Sequence, residues 1–185
     1  MYTCSSCTVH TCEKPENGNY PKNCPVLQKE RIGEILKEYE PYREFFTTCA
    51  RIEAEGYCQW PRLRETLELC QRMGYKKLGL AFCAGFRSEA KILENLLRSR
   101  GIQVVSAVCK VGGIDKEDFG MPSDCKINPG GYEPVCNPIA QAELLNDAET
   151  EFNIVLGLCV GHDSLFLKHA KANLAPVEGH LINRG

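Results

Sequence analysis

The chain has 185 residues, 12 of them cysteine, and 22 Lys and Arg against 24 Asp and Glu give a formal net charge of -2. That length suits one domain with a real core and leaves room for a small appended lobe, and the even mixing of charge argues against a nucleic-acid partner. No apolar run approaches the roughly 20 residues of a membrane span, and Met1-Tyr-Thr-Cys-Ser-Ser-Cys has neither the basic start nor the apolar core of a secretion signal. The expectation is a cytoplasmic protein with reduced thiols and no membrane partner. In that compartment many cysteines mean metal or redox chemistry more often than a disulfide framework. The competing explanation is that free cysteines serve as small buried hydrophobes.

The first segment presents Cys4-x2-Cys7-x4-Cys12 and then Cys24-Pro25, joined by a polar loop with Pro15, Gly18 and Pro21. Such a loop has almost no apolar material of its own, and four thiolates on one metal would supply the missing folding free energy, on the order of 10 kcal/mol for structural zinc. Cys4, Cys7, Cys12 and Cys24 are therefore expected to ligate metal. Zinc sites usually present two knuckle pairs, whereas only Cys4 and Cys7 are so spaced here. Iron-sulfur sites take closely spaced cysteines plus a distant one followed by proline. A [4Fe-4S] cluster is the leading expectation and zinc the alternative.

Three helices follow. Ile32, Ile35, Leu36 and Tyr39 recur at helical spacing between Pro25 and the break at Pro41. Phe45, Phe46, Cys49 and Ile52 stripe a second helix that ends near Gly56. A third starts at Pro61, carries Leu63, Leu67, Cys70 and Met73 inward, and stops at Gly74. Cys49 and Cys70 sit on these apolar stripes and read as core, while Cys58 in its turn is open to either role.

From Tyr75 the pattern becomes strand, helix, strand. Lys77 to Phe82 is a strand, Ser88 to Arg100 a helix with Ile92, Leu93, Leu96 and Leu97 inward, and Ile102 to Val108 a second strand. Such a βαβ unit implies parallel strands and a right-handed crossover. Residues 110 to 137 are rich in glycine and lack periodicity, and a loop this long is usually functional or mobile. Within it Asp115, Glu117 and Asp118 read as a solvated acidic cluster, and Cys125 as a spare ligand or an exposed thiol. Pro138 opens a helix through about Asn146 with Ile139, Ala142 and Leu145 on one side. Cys136 just before it lies where the helix dipole favours thiolate. Ile154 to Leu158 is apolar on consecutive positions and reads as a strand buried on both faces. Asp163 is expected to cap a helix through about Ala172, and His180 to Asn183 to add an edge strand.

Strands thus end in Cys83, Cys109 and Cys159, at the edge where parallel α/β sheets bind ligands, and Cys136 joins them at a helix start. Soft thiolates suit zinc, copper(I) and iron-sulfur clusters. Cys83, Cys109, Cys136 and Cys159 are the expected cofactor-binding residues of a second metal or reactive-thiol site. Cys136, Cys159 and His162 are its candidate catalytic groups, His162 as a ligand or proton carrier near pH 7.

Cys4-Ser-Ser-Cys7, Cys24-Pro25, Gly79-Leu-Ala-Phe-Cys83, Cys109-Lys-Val-Gly-Gly113, Cys136-Asn-Pro-Ile-Ala-Gln-Ala-Glu-Leu-Leu-Asn146 and Gly157-Leu-Cys-Val-Gly-His-Asp163 resemble a family of uncharacterised, cysteine-rich proteins of anaerobic bacteria and archaea, described only as candidate metal binders. The resemblance runs to about Ala172. Val177 to Gly185 does not reproduce the longer apolar strand and Lys-Asp-Arg stretch with which the family continues. It implies metal binding and an anaerobic setting, and no particular reaction.

Together these readings describe an α/β protein with a small parallel sheet of three or four strands and flanking helices. Residues 1–26 form a Cys-rich metal-binding lobe, 27–74 a helical segment and 75–185 the α/β domain. The expected function is redox or sulfur chemistry on a small-molecule substrate, or with a redox partner protein. The alternatives are a non-enzymatic zinc-binding, metal-sensing or delivery module, and redox sensing by disulfide exchange at Cys136.

Overall fold

A computed structural model describes residues 1–14 and 18–177. The chain divides into two compact units, Met1–Ala50 and Arg51–Gly185. In the first, a 3-10 turn at Cys4–Ser6 and another at Pro25–Leu27 precede α1, Lys29–Lys37. Proline fixes φ but donates no N–H, so Pro25 opens the short turn and the α-helix starts beyond it. The Ile32, Ile35, Leu36 and Tyr39 stripe stands exposed. The loop beside the cysteines is held by polar contacts: the hydroxyl of the buried Thr11 donates to the Asn19 carbonyl at 2.9 Å, and the Asn23 amide donates to Thr3 Oγ1 at 2.6 Å. α2 runs Arg43–Gly56.

The second unit is built on α3 (Arg62–Arg72), β1 (Lys77–Phe82), α4 (Arg87–Arg98), β2 (Gln103–Val108), α5 (Pro138–Asp147), β3 (Phe152–Leu156), α6 (His162–His169) and β4 (Leu174–Val177). All four strands are parallel, in the order β2-β1-β3-β4. The expected α/β class is thus the observed one. The edge strand forms at Leu174–Val177, and the expected 180–183 strand lies outside the described residues. β1 and β3 are central, which is why their apolar positions run consecutively instead of alternating. No helix among the described residues is long and apolar enough to cross a membrane.

The chain moves from β1 to β2 in one direction and from β2 back past β1 to β3 in the other. Right-handed crossovers therefore place α4 on one face and α5 and α6 on the opposite face. The core under α5 and α6 comprises Ala81, Ala107, Ala142, Leu145, Val155 and Phe166. Each large apolar side chain buried there contributes about 1.5–3 kcal/mol relative to exposure. Leu93 and Leu97 of α4 are buried as expected, but Ile92 is 67 % exposed. Ile139 is likewise exposed while Ala142 and Leu145 are buried. In both helices the buried stripe is narrower than the apolar content suggests.

The long 110–137 loop is ordered by an ion-paired centre, which corrects the solvated reading of Asp115, whereas Glu117 and Asp118 are exposed. Asp115 is buried, with Lys126 Nζ 2.7 Å from its carboxylate, and the amides of Glu117 and Glu133 donate to it at 2.9 and 2.7 Å. Lys126, itself buried, also donates to Glu117 at 2.9 Å and to the Gly131 carbonyl at 2.9 Å. A buried charge persists only when its hydrogen-bonding capacity is met, and here the loop backbone meets it. The Lys126 ammonium and the two amides hold the Asp115 carboxyl down at about 2.

Candidate metal centre

The register sets the strand ends side by side: Phe82 lies opposite Val108 on one flank and Leu156 on the other. The ladder continues one step further, with the Cys83 amide donating to the Leu156 carbonyl at 3.1 Å and the Cys109 amide to the Phe82 carbonyl at 2.9 Å. Between β1 and β3 the connections leave for opposite faces, which makes this crevice the topological switch point where open α/β sheets bind ligands. Cys83 follows β1, and Cys159 follows β3 after a turn at Gly157. Cys136 arrives from the far end of the long loop, where the Asn137 amide donates to the Cys109 carbonyl at 2.8 Å. Asn137 then caps α5, its side chain accepting from the Ala140 amide at 2.9 Å.

Of the four thiols expected from sequence to share this edge, Cys109 and Cys136 are in contact, and Cys83, Cys136 and Cys159 are near enough to influence one another's ionisation. Cys136 Sγ lies 4.0 Å from Cys109 Sγ, which also accepts the Ala84 amide at 3.3 Å. Cys109 is 3 % exposed, Cys83 and Cys136 are half-buried, and Cys159 is exposed. Burial pushes the Cys109 thiol up to about 11 against the pull of the Ala84 amide, and the charges of Cys136 and Cys83 add to the rise. Burial likewise raises Cys159, followed by the charges of Cys83 and Cys136 and hydrogen bonding to Cys83, with Lys110 opposing. Both shifts thus share burial as their main cause and mutual repulsion as a second, since ionisation of one sulfur opposes ionisation of the next.

Two residues of this edge escaped the reading of the sequence. Lys110 donates to the Pro134 carbonyl at 2.6 Å. Burial presses its ammonium toward neutrality, but the hydrogen bond to Cys136 and the charges of Cys136, Cys109 and Glu133 outweigh it, and its pKa is raised. Its position next to Cys109 in the sequence was the available signal. Gln141 is fully buried on α5, and its amide donates to the Ala107 carbonyl at 2.7 Å and the Phe82 carbonyl at 3.2 Å. It ties the helix that follows Cys136 to the two strands that end in Cys83 and Cys109. A lone glutamine at core spacing between Pro138 and Leu145 was its signature.

His162 opens α6, its backbone amide donating to the Cys159 carbonyl at 3.0 Å. Asp163 is not the cap. Gly161 holds the N-cap position, and the Asp163 carboxylate accepts from the Ser164 amide at 2.8 Å within the first turn.

In the first unit Cys4, Cys7 and Cys24 line one hollow of about 170 Å³ together with Asn23 and Pro25. Cys12, exposed in a turn, is not among its lining residues. Among the described residues no group of three or more Cys, His, Asp and Glu side chains is arranged, as it stands, to hold a metal ion. Of the remaining thiols, Cys70 is fully buried and pushed up to about 12 by that burial, Cys49 is half-buried, and Cys58 and Cys125 are exposed.

The chain is 44 % identical over 171 residues to the uncharacterized protein MJ0455 of Methanocaldococcus jannaschii, a match spanning 91 % of this chain and 82 % of that one. Residues 24–176 match a family described as a protein of unknown function, DUF1847, a span that contains Cys83, Cys109, Cys136 and Cys159. The chain therefore belongs to the DUF1847 family.

Proposed function

We propose that the chain is a cytoplasmic thiolate metal-binding protein with two sulfur centres, acting in redox or sulfur chemistry on a small molecule. The observation that supports this reading is the 4.0 Å approach of Cys109 and Cys136 Sγ at the edge of the sheet where Cys83 and Cys159 also follow their strands. The charges of Cys83 and Cys136 oppose ionisation of Cys109 and Cys159. A metal cation among the four sulfurs relieves that opposition further than Lys110 alone does. Thiolate donors favour soft metals and iron-sulfur clusters. Cys159, the exposed member, is where a small molecule or a redox partner protein reaches the centre.

Cys4, Cys7, Cys12 and Cys24 hold a [4Fe-4S] cluster in this reading. Support comes from the hollow shared by three of them and from the polar loop, which needs a metal to offset its ordering entropy. A second reading, a non-enzymatic zinc module, is favoured by one distance. A tetrahedral zinc with bonds of about 2.3 Å sets its sulfurs about 3.8 Å apart, close to the spacing of Cys109 and Cys136.

The test is anaerobic purification with iron, sulfide and zinc assays on the native chain and on Cys136→Ser and Cys159→Ser. The expected result is iron and sulfide in the native chain, with a fraction lost in each variant while the fold is retained. Colourless protein with stoichiometric zinc and no iron leaves the zinc module. Protein that takes up neither metal overturns both.

A further inference from the structure

We propose that Cys109 and Cys136 are a thiol-disulfide pair, closed by a low-molecular-weight disulfide, whose oxidation withdraws two of the four sulfurs from metal binding. The withdrawal rests on the metal reading above; formation of the disulfide does not.

Three observations carry the assignment. The two Sγ atoms are 4.0 Å apart, so an approach of about 2 Å reaches the length of a disulfide bond. Their backbones are already joined, since the Asn137 amide donates to the Cys109 carbonyl at 2.8 Å. The intervening loop is closed independently by Lys126 and Asp115. The bond thus links two points that the native fold already holds close together.

Access decides which sulfur reacts first. Cys109 is 3 % exposed and beyond reach of a dissolved disulfide, whereas Cys136 is half-buried and neighbours the Lys110 ammonium. Cys136 thiolate attacks one sulfur of the disulfide RSSR; a bond forms between Cys136 and that sulfur, the RS–SR bond breaks, and the departing thiolate takes up the proton Cys136 has lost. Cys109 then attacks Cys136 Sγ, and the second RS leaves with the Cys109 proton as RSH. Two protein thiols are oxidised by two electrons, and one RSSR is reduced to two RSH.

Metal-free full-length chain treated anaerobically with oxidised glutathione, then alkylated and mapped without reduction, tests this. The expected result is a linked Cys109 and Cys136 peptide as the main product at the sheet edge. In Cys109→Ser a glutathione adduct persists on Cys136, and in Cys136→Ser residue Cys109 stays reduced. In a Cys7→Ser background, which leaves the sheet-edge centre as the metal site, zinc uptake by the oxidised chain is lost and returns with a thiol reductant. A dominant Cys83 to Cys159 link, or a Cys136 that stays reduced in the native chain, overturns the assignment. A chain that forms the Cys109 to Cys136 link but binds no metal in either redox state keeps this disulfide and fails the metal reading. One that binds metal and forms no such link does the reverse.

Discussion

Gly157→Ala probes the contact that spaces two of the thiol loops. Gly157 lies two residues before Cys159 and has φ +61, and a Cβ there would sit 2.4 Å from Phe86 Cε2 and 2.5 Å from Cδ2. Phe86 follows Cys83 by three residues, so the ring cannot retreat without disturbing the β1 end of the site. A left-handed conformation costs an L-residue about 1–2 kcal/mol. Overpacking adds about 1–3 kcal/mol, and the stiffer unfolded chain returns about 0.4–1 kcal/mol. The net loss is about 1–5 kcal/mol, a fall of roughly 2–4 °C in Tm for each kcal/mol in a chain of this size. The control is Gly101→Ala, at φ +78 with nothing within 4 Å of its Cβ, which bears the conformational cost alone. Urea unfolding of both variants, read as midpoint at unchanged slope, should show Gly157→Ala the more destabilised. Zinc affinity should fall in Gly157→Ala only. Equal losses in the two variants, or an unchanged zinc affinity in Gly157→Ala, would show that the Phe86 contact does not space the thiols.

The Asp115 carboxyl is held at about 2 against roughly 3.9 in an unfolded chain. The stabilisation it brings is complete above about pH 4 and is lost as pH falls toward 2. Hydrogen-exchange protection of the Glu117 and Glu133 amides should fall over that window and become flat in Asp115→Asn; an identical pH response in both chains contradicts the ion-paired loop. Cys70, fully buried and raised to about 12, should be the last thiol to react with iodoacetamide, its modification tracking unfolding, whereas Cys58 and Cys125 react in the folded protein. Early labelling of Cys70 would mean that its site opens locally. Replacing Cys7 or Cys24 with Ser should remove the metal of the first unit and leave that bound at Cys83, Cys109, Cys136 and Cys159. Simultaneous loss from both centres would argue against two independent sites.

Local pattern in the chain settles much of this protein. Consecutive apolar residues from Leu78 to Phe82 and around Ile154 to Leu156 define strands buried on both faces, since a central parallel strand has no solvent side to encode. Because parallel strands all point one way, thiols placed after them arrive at one edge, and Cys83, Cys109 and Cys159 could be assigned there from order alone. What periodicity could not supply was the pairing within that edge. The 4.0 Å approach of Cys136 to Cys109 depends on a loop whose closure rests on the buried Lys126 and Asp115, residues distant in sequence and of the type that composition assigns to solvent. Lys110 and Gln141 left only faint local signals, adjacency to Cys109 and a lone polar residue at core spacing, because a side chain's long-range partner is not written beside it. The exposure of Ile92 and Ile139 likewise became visible only when the sheet left each helix a narrower contact than its apolar residues could cover. Sequence determined which elements form and at which edge the sulfurs gather, because both follow from local sterics and chain direction. Tertiary structure alone decided which sulfurs touch and how deeply each is buried, because those follow from packing between segments that sequence leaves far apart.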